Sequence, residues 1–193
     1  MVHTKNQQSI LYLSSKQPSK KIIEFLKSKG HIVTISSNTI DSISEFDLVF
    51  SFGYKHILKE KLIRAAKRQP INLHISYLPF NRGYHPNFWA HYDGTLSGIT
   101  IHQIDVGIDS GEIIYRVPIE FSKNLNTFRN TWEYLNSEIE KLFINKFENI
   151  LNFDFKSFMQ ESEGTFHLES DLPSDFKGWD SNIVDEISRL KSI

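Results

Sequence analysis

The sequence predicts an α/β fold in which a mostly parallel β-sheet flanked by helices is followed by a β-hairpin and one long helix toward the C-terminus. Three observations carry this. Short apolar runs rich in β-branched residues alternate with amphipathic helical periods through the first half of the chain. Two strand-like runs then succeed one another across a single short turn. Residues 126–150 hold an unbroken helical period.

Taken in order, Ser9–Leu13 (SILYL) reads as a buried strand. Pro18 and Ser19 open a helix with Ile22, Ile23, Phe25 and Leu26 on its apolar side, and Gly30 closes it. HIVTISS (31–37) and FDLVFSF (46–52) are the second and third strands. After Gly53, a short helix over roughly 58–68 is expected to turn Leu62, Ala65 and Ala66 inward. PINLHI (70–75) is the fourth strand. GITIHQID (98–105) and GEIIYRVPIEF (111–121) are the fifth and sixth, joined as a hairpin through VGIDS. The long helix presents Trp132, Leu135, Ile139, Leu142 and Ile150 at helical spacing, with Thr127 as its N-cap. The tail, 160–193, is polar with a final short helix near 181–191, and is expected to pack on the rest, so that 1–193 form a single domain. The strand–helix alternation of the first half is Rossmann-like.

Composition excludes several functions. Basic and acidic residues balance at 22 against 23, net −1, which leaves no electrostatic footprint for nucleic acid. The run KEKLIRAAKR (59–68) is a solvated helix face, because no aromatic is interleaved with its charges. With no cysteine, disulfides, thiolate metal sites and a cysteine nucleophile are ruled out. MVHTKNQQSILYLSS has no apolar core of signal-peptide length, and no run approaches the ~18 apolar residues of a membrane span, so a cytoplasmic protein is expected.

The chemistry concentrates in INLHISYLPFNRGYHPNFWAHYDG (71–94). Residues i and i+2 of a strand share a face, so Asn72 and His74 project together at the carboxyl end of the fourth strand, where open α/β sheets place ligands. The DVGIDSG turn presents Asp109 from a second loop. An amide, an imidazole and a carboxylate can thus converge. Each also has an ordinary reading, as turn residue or hydrogen-bonded structure, and residue types alone do not choose.

The segment from Asn72 to Ile114, together with FGYKHIL (52–58), strongly resembles the folate-dependent formyltransferase family, which includes glycinamide ribonucleotide, methionyl-tRNA and sugar N-formyltransferases. The shared pattern is Asn-x-His, Ser-x-Leu-Pro, Arg-Gly, a Gly-x-Thr strand and an Asp-x-Gly turn. The tail EGTFHLESDL resembles the closing segment of smaller members, and Ile75 departs from the proline many relatives place after the histidine. The resemblance implies the formyltransferase fold and 10-formyltetrahydrofolate as co-substrate, with no metal. It implies that Asn72 and His74 stabilise a tetrahedral oxyanion while Asp109 orients His74, or raises its pKa, and helps remove the amine proton. Donors of this kind contribute roughly 3–4 kcal/mol each. It also implies a folate pocket of Tyr54, Ile57, Leu58, Ile104, Asp105 and Gly107.

Among acceptors, methionyl-tRNA enzymes carry a second basic domain, which 193 residues at net −1 are not expected to include. Glycinamide ribonucleotide enzymes hold a phosphate on a glycine-rich loop, where this chain reads SSKQPSKKIIEFL without glycine. A dTDP- or UDP-linked amino-deoxysugar remains, with Arg82, His85, Asn87 and Trp89 as expected sugar or diphosphate contacts. Phe166 and Trp179 are read as packing on the long helix rather than on a base, His91 and Tyr92 as filler, and His102 as a hydrogen-bonded strand residue. A homodimer is expected from the apolar surface of the long helix and tail. The competing readings are a formyltransferase for another small amine, a non-catalytic folate or sugar-nucleotide binding module, and a hydrolase using His74, His85 and His91 with Asp109 as metal ligands. A nicotinamide enzyme lacks its GxGxxG.

Overall fold

The protein is described by a computed structural model covering residues 7–15, 17–161 and 163–192. Its elements are β1 (Ser9–Leu13), α1 (Lys20–Ser28), β2 (Ile32–Ser36), β3 (Leu48–Phe52), α2 (Glu60–Ala65), β4 (Ile71–His74), β5 (Arg82–Gly83), α3 (Pro86–Asp93), β6 (Gly98–Gln103), β7 (Ile113–Pro118), α4 (Phe128–Leu151), β8 (Phe166–His167) and α5 (Ile183–Lys191). Six strands form one sheet in the order β2-β1-β3-β4-β6-β7. The pairings through β4 are parallel, and β4·β6 and β6·β7 are antiparallel. This is the expected mostly parallel α/β sheet with its hairpin at one edge.

Alternation along the strands builds an apolar layer on each face. Ile10 and Tyr12 of β1 join Phe50, Ile71, Leu73, Ile99 and Ile101 under α1 and α4, whereas Leu11, Leu13 and Val49 meet Leu58, Leu62 and Ile63 on the side of α2. Serine caps α1: Ser19 Oγ accepts from Ile22 N at 3.2 Å. Thr127 Oγ1 likewise accepts from Asn130 N at 3.2 Å and starts α4. The buried stripe of α4 runs Thr131, Leu135, Ile139, Phe143, Phe147. Burying each of its large side chains contributes roughly 1.5–3 kcal/mol.

Two inward faces differ from the sequence expectation. In α2, Ile63 is buried with Leu62 while Ala65 is exposed. In α4, Trp132 and Leu142 sit on the shoulders of the stripe, and Phe143 and Phe147 fill the core. The other expected residues keep their inward places: Leu62 and the half-buried Ala66 in α2, and Leu135, Ile139 and Ile150 in α4. Size does not decide this: in α4 the small Thr131 is buried while Trp132 beside it is half-buried, because position around the helix sets which side chain meets the sheet.

The tail returns to the sheet's carboxyl end. β8 pairs in parallel with β5, and α5 places Leu190 with Phe88, Trp89 and Phe128 in a third apolar cluster that Phe176 and Trp179 join.

Candidate active site

β4 ends in the middle of the sheet, with β3 on one side and β6 on the other. Its Ile71 and Leu73 face the α4 layer, so Asn72 and His74 face the other way. The loop after β6 turns back across them. Within it Asp105 Oδ1 accepts from Gly107 N at 3.0 Å and from Ser110 Oγ at 2.7 Å, a side-chain-closed turn that sets Asp109 in a left-handed conformation with φ of 51°.

The three side chains meet at the Asp109 carboxylate. Asn72 Nδ2 donates to Oδ1 at 3.0 Å, and His74 Nδ1 lies 3.6 Å from Oδ2. Two further groups complete the cluster. Gly83 N donates to Oδ2 at 2.9 Å, and His102 Nε2 is 3.4 Å from Oδ1 and 3.2 Å from Asn72 Nδ2. Tautomers follow from the carbonyls, which only accept. His74 Nε2 donates to Asn81 O at 3.1 Å, so in the neutral ring Nδ1 is the unprotonated nitrogen facing Asp109. His102 Nδ1 donates to Gln103 O at 2.8 Å, so its Nε2 is the acceptor for Asn72. Both N–H groups of Asn72 are therefore engaged, one by Asp109 and one by His102.

Charge is held by the same contacts. Burial lowers the pKa of His74 more than the nearby Asp109 raises it, so His74 is neutral at rest. Asp109 acts on His74 in the expected, raising direction, and desolvation outweighs it. Burial alone would raise Asp109; the positive charge of His74 when it is protonated, then that of His102, and the Gly83 N–H hold it well below the usual carboxylate range.

The tail contributes indirectly. Thr165 Oγ1 accepts from Asn81 N at 2.7 Å and donates to Asn81 Oδ1 at 3.1 Å, while Asn81 Nδ2 donates to Thr95 Oγ1 at 2.8 Å. Asn81 is fully buried with φ of 58°, so the carbonyl that orients His74 is fixed on all sides. Gly83, at φ of 88°, packs so closely that an added Cβ would lie 2.3 Å from His167 O.

Asn72, His74, His102 and Asp109 line a cavity of about 1000 Å³. The expected folate residues Tyr54, Ile57, Leu58, Ile104, Asp105 and Gly107 all line it. Of the expected sugar contacts, His85 and Asn87 line it and Arg82 and Trp89 do not. Arg82 Nε donates to Pro79 O at 3.3 Å, and its guanidinium also reaches Glu163 O, so the fork is used to hold the tail. Trp89 faces the tail too, stacked on His167 with ring centroids 3.9 Å apart. Asn87 Nδ2 donates to Phe128 O at 2.9 Å and Thr131 Oγ1 at 3.0 Å, which ties α3 to α4. Trp179 lines the cavity beside His85, ring centroids 5.1 Å apart, whereas Phe166 does not. Sequence reasoning missed His102, Gly83 N–H and the Asn81 carbonyl. Only for His102 was a signal available: it alternates with the core-facing Ile99 and Ile101, and so shares a face with the site.

Among the described residues no group of three or more His, Cys, Asp or Glu is placed to hold a metal ion. Likewise, no described helix is long and apolar enough to cross a membrane.

A mixed sheet with an amide, imidazole and carboxylate converging where its central strand ends defines the class. Residues 5–141, well over half of the chain, match the formyl transferase family model, and the chain belongs to that family. Among relatives, it is 26% identical over 138 residues to the dTDP-4-amino-4,6-dideoxyglucose formyltransferase of Mycobacterium bovis, an alignment covering 72% of this chain and 58% of that protein. The chain thus spans little more than half the length of this curated relative. Among solved structures, the formyltransferase PseJ from Anoxybacillus kamchatkensis, in complex with UDP-4,6-dideoxy-4-formamido-L-AltNAc and tetrahydrofolate, superimposes with a TM-score of 0.84 at 33% identity, covering 94% of this chain and 98% of that one. A 4-N formyltransferase from Francisella tularensis shares the fold, with a TM-score of 0.71 at 24% identity, covering 85% of this chain and 77% of that one.

Proposed function

We propose that this protein transfers the formyl group of 10-formyltetrahydrofolate to the amine of a nucleotide-linked amino-deoxysugar, dTDP- or UDP-bound. The observation that carries the reading is the convergence of Asn72, His74 and Asp109 on one cavity whose wall also holds Tyr54, Leu58 and Ile104. The likeness to PseJ, whose complex contains tetrahydrofolate and a UDP-linked formamido sugar, supports the substrate class.

In this mechanism the amine nitrogen attacks the formyl carbon, forming a C–N bond and moving the carbonyl π pair onto oxygen. The oxyanion takes over the Asn72 N–H that Asp109 holds at rest. Asp109 thereby loses one stabilising donor and gains proton affinity. The proton leaving the attacking nitrogen reaches His74 Nδ1, directly or through Asp109, and the imidazolium so formed lies against the carboxylate. Collapse then breaks the bond to N10 of the folate, which as it leaves takes back the proton held by the His74 imidazolium, restoring the neutral ring. The products are a formamide and tetrahydrofolate. Donation to the oxyanion contributes roughly 3–4 kcal/mol, and positioned proton transfer roughly 10²–10⁴-fold.

The reading includes a cytoplasmic location, a homodimer and a product used in surface polysaccharide assembly. Incubation with 10-formyltetrahydrofolate and a panel of dTDP- and UDP-linked 3-amino and 4-amino deoxysugars, with products read by mass, tests it. One sugar should gain a single formyl group. Transfer only to a non-sugar amine would replace the acceptor, and bound folate without turnover on any amine would leave a binding module.

A further inference from the structure

Asn72 can donate to an oxyanion only if its amide plane is held, and rotation about its side chain would otherwise exchange oxygen for nitrogen. Asp109 alone does not hold it, because that contact is the one the oxyanion displaces. The remaining anchor is His102. It is buried, 1% exposed, and stands directly opposite Asn72 in the antiparallel β4·β6 register, where a bulge at Ile101/His102 interrupts the β6·β7 pairing. Its ring is itself fixed, since Nδ1 donates to Gln103 O at 2.8 Å, which aims the Nε2 lone pair at Asn72 Nδ2, 3.2 Å away.

We propose that His102 is a positioning residue for the transfer. Its Nε2 lone pair pins one N–H of the Asn72 amide, leaving the other aimed along a single direction shared by Asp109 Oδ1 and the developing oxyanion. The inference rests on the formyl-transfer reading for its consequence, but its geometry stands without it. The titratable groups facing His102 are Asp109, 3.4 Å from Nε2, and His74, whose ring stands perpendicular to it with centroids 6.2 Å apart. A proton on Nε2 would instead be donated to Asp109 and would meet the Asn72 N–H head on. The proposal therefore demands the neutral ring with its proton on Nδ1.

Two measurements test it. In the wild-type protein, ¹⁵N-histidine NMR near pH 7.5 should show His102 as the Nδ1–H tautomer, identified by loss of its signals in His102→Gln. An Nε2–H or doubly protonated ring would overturn the proposal. In kinetics, His102→Leu removes the acceptor and should lower kcat about 10–100-fold, because a misplacement of ~1 Å costs about 10²-fold. KM for folate and acceptor should change less than about twofold, since the removed nitrogen faces Asn72 and Asp109 and His102 is only 1% exposed. His102→Gln, whose side-chain oxygen accepts the same N–H, should recover most of that loss. An unchanged kcat in His102→Leu, a change confined to KM, or a His102→Gln as slow as a folded His102→Leu would each overturn it. Should His102→Leu not fold, the tautomer decides alone. A wild-type protein inactive on every amine would refute the formyl-transfer reading, whereas the tautomer result tests only the anchoring of Asn72.

Discussion

Replacing Asp109 by asparagine keeps the shape of the side chain and removes its charge. The carboxylate accepts from Asn72 Nδ2 at 3.0 Å and from Gly83 N at 2.9 Å, one on each oxygen. An amide can satisfy only one of these, because its NH₂ must face the other donor. The larger effect is electrostatic. In the proposed transfer an imidazolium forms on His74, 3.6 Å from the carboxylate. Two unit charges at about that separation attract by about 4 kcal/mol at an effective dielectric near 20, and at about 1.4 kcal/mol per tenfold this is about 10³ in rate. Single-turnover formation of the formylated sugar should therefore slow by about 10³ in Asp109→Asn. Folate affinity, measured by titration, should hold within a few fold. A rate within threefold of wild type, in a variant that folds, would refute the role given to Asp109. The variant should also be less stable at neutral pH. A carboxylate whose folded pKa is depressed contributes stability above its unfolded pKa, and that contribution is lost as pH falls through the folded value. The stability gap between wild type and Asp109→Asn should accordingly close in acid.

Further predictions concern the frame around the site. Gly83→Ala places a Cβ 2.3 Å from His167 O at a φ of 88°, so it should destabilise the protein by about 1–3 kcal/mol and lower kcat by disturbing the N–H given to Asp109; chemical denaturation and turnover measured together check both. Phe143→Ala in the centre of α4 should cost about 3–5 kcal/mol in denaturant unfolding, because the ring is fully buried against Phe50 with centroids 4.9 Å apart. His91 offers a pH test. Burial pushes its pKa down to about 4, so the unfolded chain binds a proton there before the folded one does. At about 1.4 kcal/mol per pH unit, up to about 3 kcal/mol of stability is then lost as pH falls from about 6.5 to 4. The slope of Tm against pH over that range should flatten in His91→Phe, and an unaltered slope would show that His91 does not cause it.

The local rules of sequence reached most of the elements. Strand alternation, the Ser19 and Thr127 caps and the apolar period of 126–150 depend on neighbours a few residues away, and the elements formed close to where those signals lay. That Asn72, His74 and Asp109 can converge was also legible, though only the resemblance chose that reading over their ordinary ones. The first two share a strand face by period alone, and the third stands in a recognisable turn. What sequence could not supply was the partner of each polar group. Whether Arg82 contacts phosphate or binds the tail depends on where Glu163 lies, 81 residues away. Whether Trp89 lines a pocket or stacks on His167 depends on the return of the tail to α3. His102 was rightly read as a hydrogen-bonded strand residue, and its place beside the site was hidden for the same reason. Its alternation with Ile101 placed it on a face, but only the β4·β6 register put it opposite Asn72. The state of His74 is decided last of all: an adjacent carboxylate argues for a raised pKa, yet desolvation outweighs it, and desolvation is a property of the closed fold rather than of any pair of residues. The sequence by itself determined the sheet and its helices, because propensity, capping and strand periodicity act over a few residues, and it offered the three chemical groups as candidates that the resemblance singled out. The tertiary structure decided which nitrogen each histidine protonates, which donors Asp109 accepts and which cations are already spent, because those depend on contacts between segments that only the folded chain brings together.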